Sequence, residues 1–283
     1  MGNNIVFART RWHYDSYVDY WDLVKLSGFP VVWIDEMDLS KRDTTYVISP
    51  MNGEVVPFMD QHPYPDRYSK VVMWNLERPS GSGGLQSYID DNRRYIENRQ
   101  LDEIIVSDRA LAEHTGFKFV PLGSHVGLGT PSNITERLLG YDLIHLSGYS
   151  PHRAWMFISP EKHRRELEAL TVAQSGWGEA RRKALQFSRF MLNVHQDEYL
   201  YMEPLRFSLA AAYGLPIISE QCLDMYPYVL EWVVMGGSVR SLLRSAWLRN
   251  LELYAERYYR LGLEMRKVMT TTYSFRNCLE KYL

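Results

Sequence analysis

The residues best placed to do chemistry lie in one stretch, Phe190 to Glu220, which reads FMLNVHQDEYLYMEPLRFSLAAAYGLPIISE. An apolar run with strand character, Phe190 to Val194, leads through the polar His195-Gln196-Asp197-Glu198 into a helix entered at Glu203-Pro204. Proline fits a first helical turn because its missing N–H is one the helix never uses, and the N–H groups remaining there favour an anion. Glu203 and Arg206 are thereby held beside a natural phosphate position. Gly214 supplies the left-handed residue that ends a helix, and a second strand, Leu215 to Ser219, delivers Glu220 to the carboxyl edge of the sheet, where open α/β sheets bind ligands. An ordinary strand-helix-strand unit with no ligand fits this pattern equally well.

Other reactive side chains depend on the elements that carry them. In the first half, strands are expected at 4–8, 29–34, 45–49, 70–74, 103–106 and 117–121, and helices at 16–26, 88–99 and 109–114. Such alternation implies a parallel sheet covered on both faces. The carboxyl ends of its strands then deliver Arg9-Thr10-Arg11-Trp12-His13-Tyr14-Asp15, Asn75-Leu76-Glu77-Arg78-Pro79, Ser107-Asp108-Arg109 and Gly123-Ser124-His125. Each set holds a potential acid, base or phosphate contact, although polar loop residues are usually just solvated. The first loop lacks G-x-G-x-x-G, which sets aside a nicotinamide-dinucleotide enzyme.

Leu122 to Thr135, rich in glycine, is the candidate linker. Beyond it a strand is expected at 141–146, helices at 161–170 and 179–189, and largely helical structure at 224–235 and 239–269. Composition agrees with two folded domains: 283 residues, 46% hydrophobic and 23% charged, suffice for two cores. A net charge of −2 provides no global field for nucleic acid, although a local basic face is compatible with it. Two cysteines, Cys222 and Cys278, offer neither a disulfide framework nor metal-ligand spacing. Neither a signal peptide nor a membrane span is apparent, so a cytoplasmic protein is expected.

The wording of the central stretch carries a resemblance. His195, Glu203-Pro204-x-Arg206, Ala210-Ala211-Ala212, Gly214-Leu215-Pro216 and Ser219-Glu220 resemble the nucleotide-sugar segment of GT-B glycosyltransferases, closest to the spore-maturation-type group with its pattern H…EP.R..EA…G.P..SE. One position departs: Leu209 stands where that pattern has the glutamate expected to hold the ribose, leaving Glu203 or Glu220 for that task.

The resemblance implies an α/β fold of two Rossmann-like domains facing across a cleft: residues 1–127 for the acceptor, 135–268 for the donor, and 269–283 returning to the first domain. It implies a nucleotide-sugar co-substrate, UDP-linked as first choice, and no other cofactor. The donor would be held by Gly148, Arg153, His195, Glu203, Pro204, Arg206 and Glu220, although a structural role suits His195 nearly as well. No D-x-D motif occurs, so no metal is expected and arginines with a helix N-terminus must neutralise the phosphates. An inverting transfer needs a base for the acceptor hydroxyl, for which Asp15, Glu77 and His13 are candidates; a retaining one does not.

The N-terminal wording TRWHYDSYVDYW, ISPMNGE and WNLERP also looks like glycosyltransferases of bacterial viruses and metagenomic sequences, some of which glycosylate hydroxymethylated pyrimidines in DNA. That acceptor would rest on Arg9, Arg11, Trp12 and Arg78, in a host cytoplasm. A surface glycan or protein acceptor, an epimerase-like binder and a non-catalytic partner of the same fold remain as alternatives.

Overall fold

A computed structural model describes residues 4–10, 17–48, 68–79, 84–146, 153, 172–174, 179–195, 199–236 and 251–283. The chain divides into two compact units, Met1–Pro121 and Leu122–Leu283.

In the first unit, β1 (Asn4–Arg9), β2 (Val31–Trp33), β3 (Thr44–Ile48), β4 (Lys70–Asn75), β5 (Glu103–Val106) and β6 (Lys118–Phe119) form a sheet in the order β2-β1-β3-β4-β5-β6. Every pairing is parallel. Runs such as Val71-Val72-Met73-Trp74 are buried throughout, as strands covered on both faces must be. The helices are α1 (Val18–Leu26), α2 (Gly84–Glu97) and α3 (Arg109–Thr115). Asp108 caps α3 by accepting from the Leu111 N–H at 2.7 Å, which satisfies one of the orphan donors of a helix start. An aromatic core of Phe7, Tyr20 and Trp74, with the Tyr20 and Trp74 rings 6.3 Å apart edge to face, locks α1 onto the sheet.

The second unit contains α4 (Ile134–Leu138), β7 (Tyr141–His145), β8 (Val172–Gln174), α5 (Glu179–Gln186), β9 (Ser188–Asn193), α6 (Pro204–Tyr213), β10 (Ile217–Glu220), β11 (Val233–Gly236), α7 (Leu251–Thr271) and α8 (Phe275–Tyr282). Its sheet runs β11-β10-β9-β7-β8, again wholly parallel. The C-terminal end of α6 is fixed. Gly214, at φ 62°, closes it in the left-handed conformation, and a side chain at Gly262 of α7 would collide with the Gly214 carbonyl. Arg137 donates to the carbonyls of Tyr213 and Gly214, and Arg266 donates to that of Ala212 (2.8 Å), so cations cover the helix's negative end.

Several expectations need correction. The stretch 224–235, expected to be largely helical, consists of turns followed by β11, because the short apolar run Trp232-Val233-Val234-Met235 satisfies its backbone against β10. The helix expected to reach Arg189 stops at Gln186, and Arg189 joins β9, where it pairs with Asp142 of β7 at 3.0 Å. Strand β8 was not foreseen. The helix at 161–170 and the beginning of the one at 239–269 lie outside the described residues. Gly123 and Ser124, in the stretch with linker composition, belong to the second unit and meet the chain's end: Ser124 and Tyr273 share a backbone hydrogen bond of 3.2 Å, and Phe275 N–H donates to Ser124 at 2.9 Å. Tyr273 also meets Tyr226, hydroxyl to hydroxyl at 3.1 Å.

Candidate functional site

In the second sheet, the chain adds β8 on one side of β7 and β9 on the other. The crevice beyond the carboxyl ends of β7 and β9 is therefore the topological switch point, where such sheets bind ligands. His145 ends β7, Asn193 ends β9, and the chain after β9 enters α6 at Glu203-Pro204.

These elements bring an ionic cluster together. Glu203 lies between two arginines, with Oε1 accepting from Arg153 Nη2 at 3.1 Å and Oε2 accepting from Arg206 Nη1. Arg153 also donates from Nε to the Val194 carbonyl at 3.0 Å, and with its side chain 3% exposed it forms part of the wall. Arg206 Nη1 reaches Asn193 Oδ1 at 3.0 Å and the Val194 carbonyl at 3.2 Å, and its side chain is 15% exposed. Two guanidinium groups flank this one carboxylate. Glu203, although at the N-cap position of α6, makes no side-chain capping bond, because its carboxylate is drawn to the arginines. The first turn of α6 thus lacks a side-chain cap, beside two guanidinium groups.

His145 is the residue here that the sequence did not single out. Its Nδ1 donates to the Leu192 carbonyl at 3.2 Å. Burial pushes its pKa down to about 4, and the charges of Arg206 and Arg153 push the same way, so the ring is neutral. Asn193 was also missed: it is buried, receives Arg206, and donates from Nδ2 to Ser219 Oγ at 3.0 Å. A histidine or asparagine ending an apolar strand is the available signal, and it is a weak one.

His195 and Glu220 form the adjoining wall. The His195 backbone N–H donates to Glu220 Oε2 at 2.9 Å, and its Nε2 donates to the Gln221 carbonyl at 3.0 Å. Both residues are buried, and they tie the end of β9 to the end of β10. Leu209 is buried in the body of α6.

In the first unit, Glu77 follows β4 with its side chain exposed. Its backbone is pinned twice, its N–H donating to Asn75 Oδ1 at 2.9 Å and its carbonyl accepting from Tyr88 Oη at 3.0 Å. Tyr17 donates to Oε1 of the carboxylate. Arg9, ending β1, lies over the Trp33 ring at 4.1 Å, and Arg78 is half-buried beside Glu77. Arg11, Trp12, His13, Asp15 and Gly148 lie outside the described residues.

Among the described residues, no group of three His, Cys, Asp or Glu is placed to hold a metal ion, and no helix is long and apolar enough to cross a membrane. No protein-family model and no curated protein sequence matches the chain. Solved structures do. TarM matches 86% of this chain with a TM-score of 0.55 and 10% identity, over 54% of its own length, so the chain spans about half of TarM. HepE of Anabaena, solved in complex with UDP, matches over 98% of both chains with a TM-score of 0.57 and 10% identity. With two parallel Rossmann-like sheets in sequence, the chain has the GT-B fold.

Proposed function

We propose that this chain is a metal-independent glycosyltransferase that moves a sugar from a nucleotide diphosphate, UDP as first choice, to a hydroxyl acceptor. The observation that carries the proposal is the switch point of the second unit, where Arg206, backed by Arg153 and Glu203, stands beside the side-chain-uncapped start of α6. Those groups suit a diphosphate whose charge grows as it leaves. HepE, of the same fold, was solved with UDP bound. His145, neutral and adjacent, lines the site without adding charge.

Glu77 is the proposed base. It takes the acceptor's hydroxyl proton as the oxygen bonds to the anomeric carbon, and the bond from that carbon to the diphosphate oxygen breaks with its electron pair leaving on the phosphate. The first-choice acceptor is a hydroxymethylated pyrimidine in DNA, with phosphates resting on Arg9 and Arg78. Arg9, held against the Trp33 ring at the end of β1, supports that choice.

One assay tests the whole reading. The protein is incubated, with and without EDTA, with a panel of nucleotide sugars and duplexes carrying hydroxymethylcytosine, hydroxymethyluracil or neither, and the digested nucleosides are weighed by mass spectrometry. A hexose-sized gain on hydroxymethylated nucleosides alone, unaffected by EDTA, is expected. No gain with any donor, UDP still binding, shifts the acceptor to a surface glycan or protein; loss of transfer with EDTA, restored by magnesium, removes the metal-independent mechanism.

A further inference from the structure

Glu77 has a partner that the proposed reaction does not yet use. Tyr17, immediately ahead of α1, donates its phenolic hydrogen to Glu77 Oε1, while Oε2 has no partner among the described residues. Behind the carboxylate lies a rigid neutral network. Asn75 Nδ2 donates to Asn92 Oδ1 at 3.0 Å, Asn92 Nδ2 donates to the Tyr88 carbonyl at 2.6 Å, and Tyr88 and Asn75 pin the Glu77 backbone. Asn75 and Asn92 are both buried, so this scaffold is fixed from within.

An exposed glutamate on such a scaffold still samples several rotamers unless something holds its end. From the hydroxyl contact and the open second oxygen, we infer that Tyr17 is a positioning residue for Glu77, fixing Oε1 so that Oε2 is presented to the acceptor's hydroxyl. A neutral donor suits this task. It orients a carboxylate without tying it into an ion pair. The phenol keeps its proton across the working range, because burial and the neighbouring carboxylate both raise its pKa far above the ordinary tyrosine value. The inference rests on the reading of Glu77 as the base.

The test uses Tyr17→Phe, Glu77→Gln and the double variant, with UDP-glucose and hydroxymethylcytosine duplex DNA as the probe pair. Tyr17→Phe is expected to lower kcat about tenfold. KM for UDP-glucose should hold, since the phenol acts on the acceptor side of the reaction only. Glu77→Gln should lose about a hundredfold or more, and the double variant should be no worse than Glu77→Gln, since the phenol acts only through the carboxylate. A Tyr17→Phe enzyme with unaltered kcat overturns the inference, as do losses that multiply in the double variant. A second readout needs no turnover. With ring-labelled tyrosine, the Tyr17 Cζ resonance, assigned by its absence in Tyr17→Phe, should titrate at lower pH in Glu77→Gln than in wild type, and identical titration refutes the contact. Should the wild type transfer no sugar to any acceptor, the glycosyltransferase reading fails while this resonance still reports on the contact, so the two failures are told apart.

Discussion

Each unit presents a glutamate at the edge where a parallel sheet binds ligands, and the two are held in opposite ways. Glu203 lies among cations: both oxygens meet guanidinium groups, and its side chain is 11% exposed. Glu77 is exposed among neutral donors, with a phenol on one oxygen and amides and a second tyrosine on its backbone. A carboxylate held between two arginines serves as their counter-ion; one met by neutral donors is oriented without an ion pair. Strand-end position thus identifies where a ligand binds, while the partners of each side chain assign its role.

The largest consequence of this contrast concerns stability. Glu203→Gln removes a carboxylate paired with Arg153, whose side chain is 3% exposed, and breaking a buried pair from one side typically costs about 3–5 kcal/mol. Glu77→Gln removes a charge already in solvent and should stay within about 0.5 kcal/mol of wild type. Urea unfolding of the two variants compares them directly. Equal losses would mean that the arginine cluster is solvated and that the contrast is false.

A second consequence is a pH dependence that arises in the second unit. His145 has a folded pKa near 4 against an ordinary 6.5, so between those values the unfolded chain binds the extra proton. Its contribution to stability is full above the unfolded value and disappears as pH falls through the folded one. From pH 7.5 to pH 5 the wild type should lose about 2 kcal/mol through this group alone. His145→Gln, unfolded in urea at both values, should lack that part of the dependence. A variant as acid-sensitive as wild type would take His145 out of the cluster.

How far such a site is legible in sequence differs between the units for physical reasons. Phe190 to Glu220 announces itself because proline, glycine and two apolar runs each have one favoured place in a strand-helix-strand unit, and β9, α6 and β10 form there. Arg153 could not be placed the same way. Its role depends on reaching Val194 and Glu203, distant in sequence, and no local rule encodes that. Tyr17 stands in an aromatic run with Tyr20 and Trp21 whose spacing reads as core, which is true of those two neighbours and only partly of Tyr17. Asn92 lies on a helix whose composition reads as exposed, yet it is buried because Asn75 and Tyr88 satisfy its amide. Asp224 to Met235 misled because a few apolar residues in sequence suit helix and strand alike until a neighbouring strand claims them.

The smallest expected effect gives the sharpest assignment of roles. Arg206 is the more exposed of the two arginines and belongs to α6 itself, so it is the one able to meet a diphosphate at the helix start while Arg153 stays in the wall. Arg206→Ala should weaken UDP binding about tenfold, ~1.4 kcal/mol, the scale of one lost charge-assisted hydrogen bond. Glu77→Gln should leave UDP affinity unchanged, since that carboxylate is assigned to the acceptor. Isothermal titration of UDP into both variants separates the cases. Equal weakening would place the nucleotide against Glu77 as well, and unchanged affinity in Arg206→Ala would remove the diphosphate from the start of α6, leaving the ionic cluster a purely structural clamp between β9 and the helix.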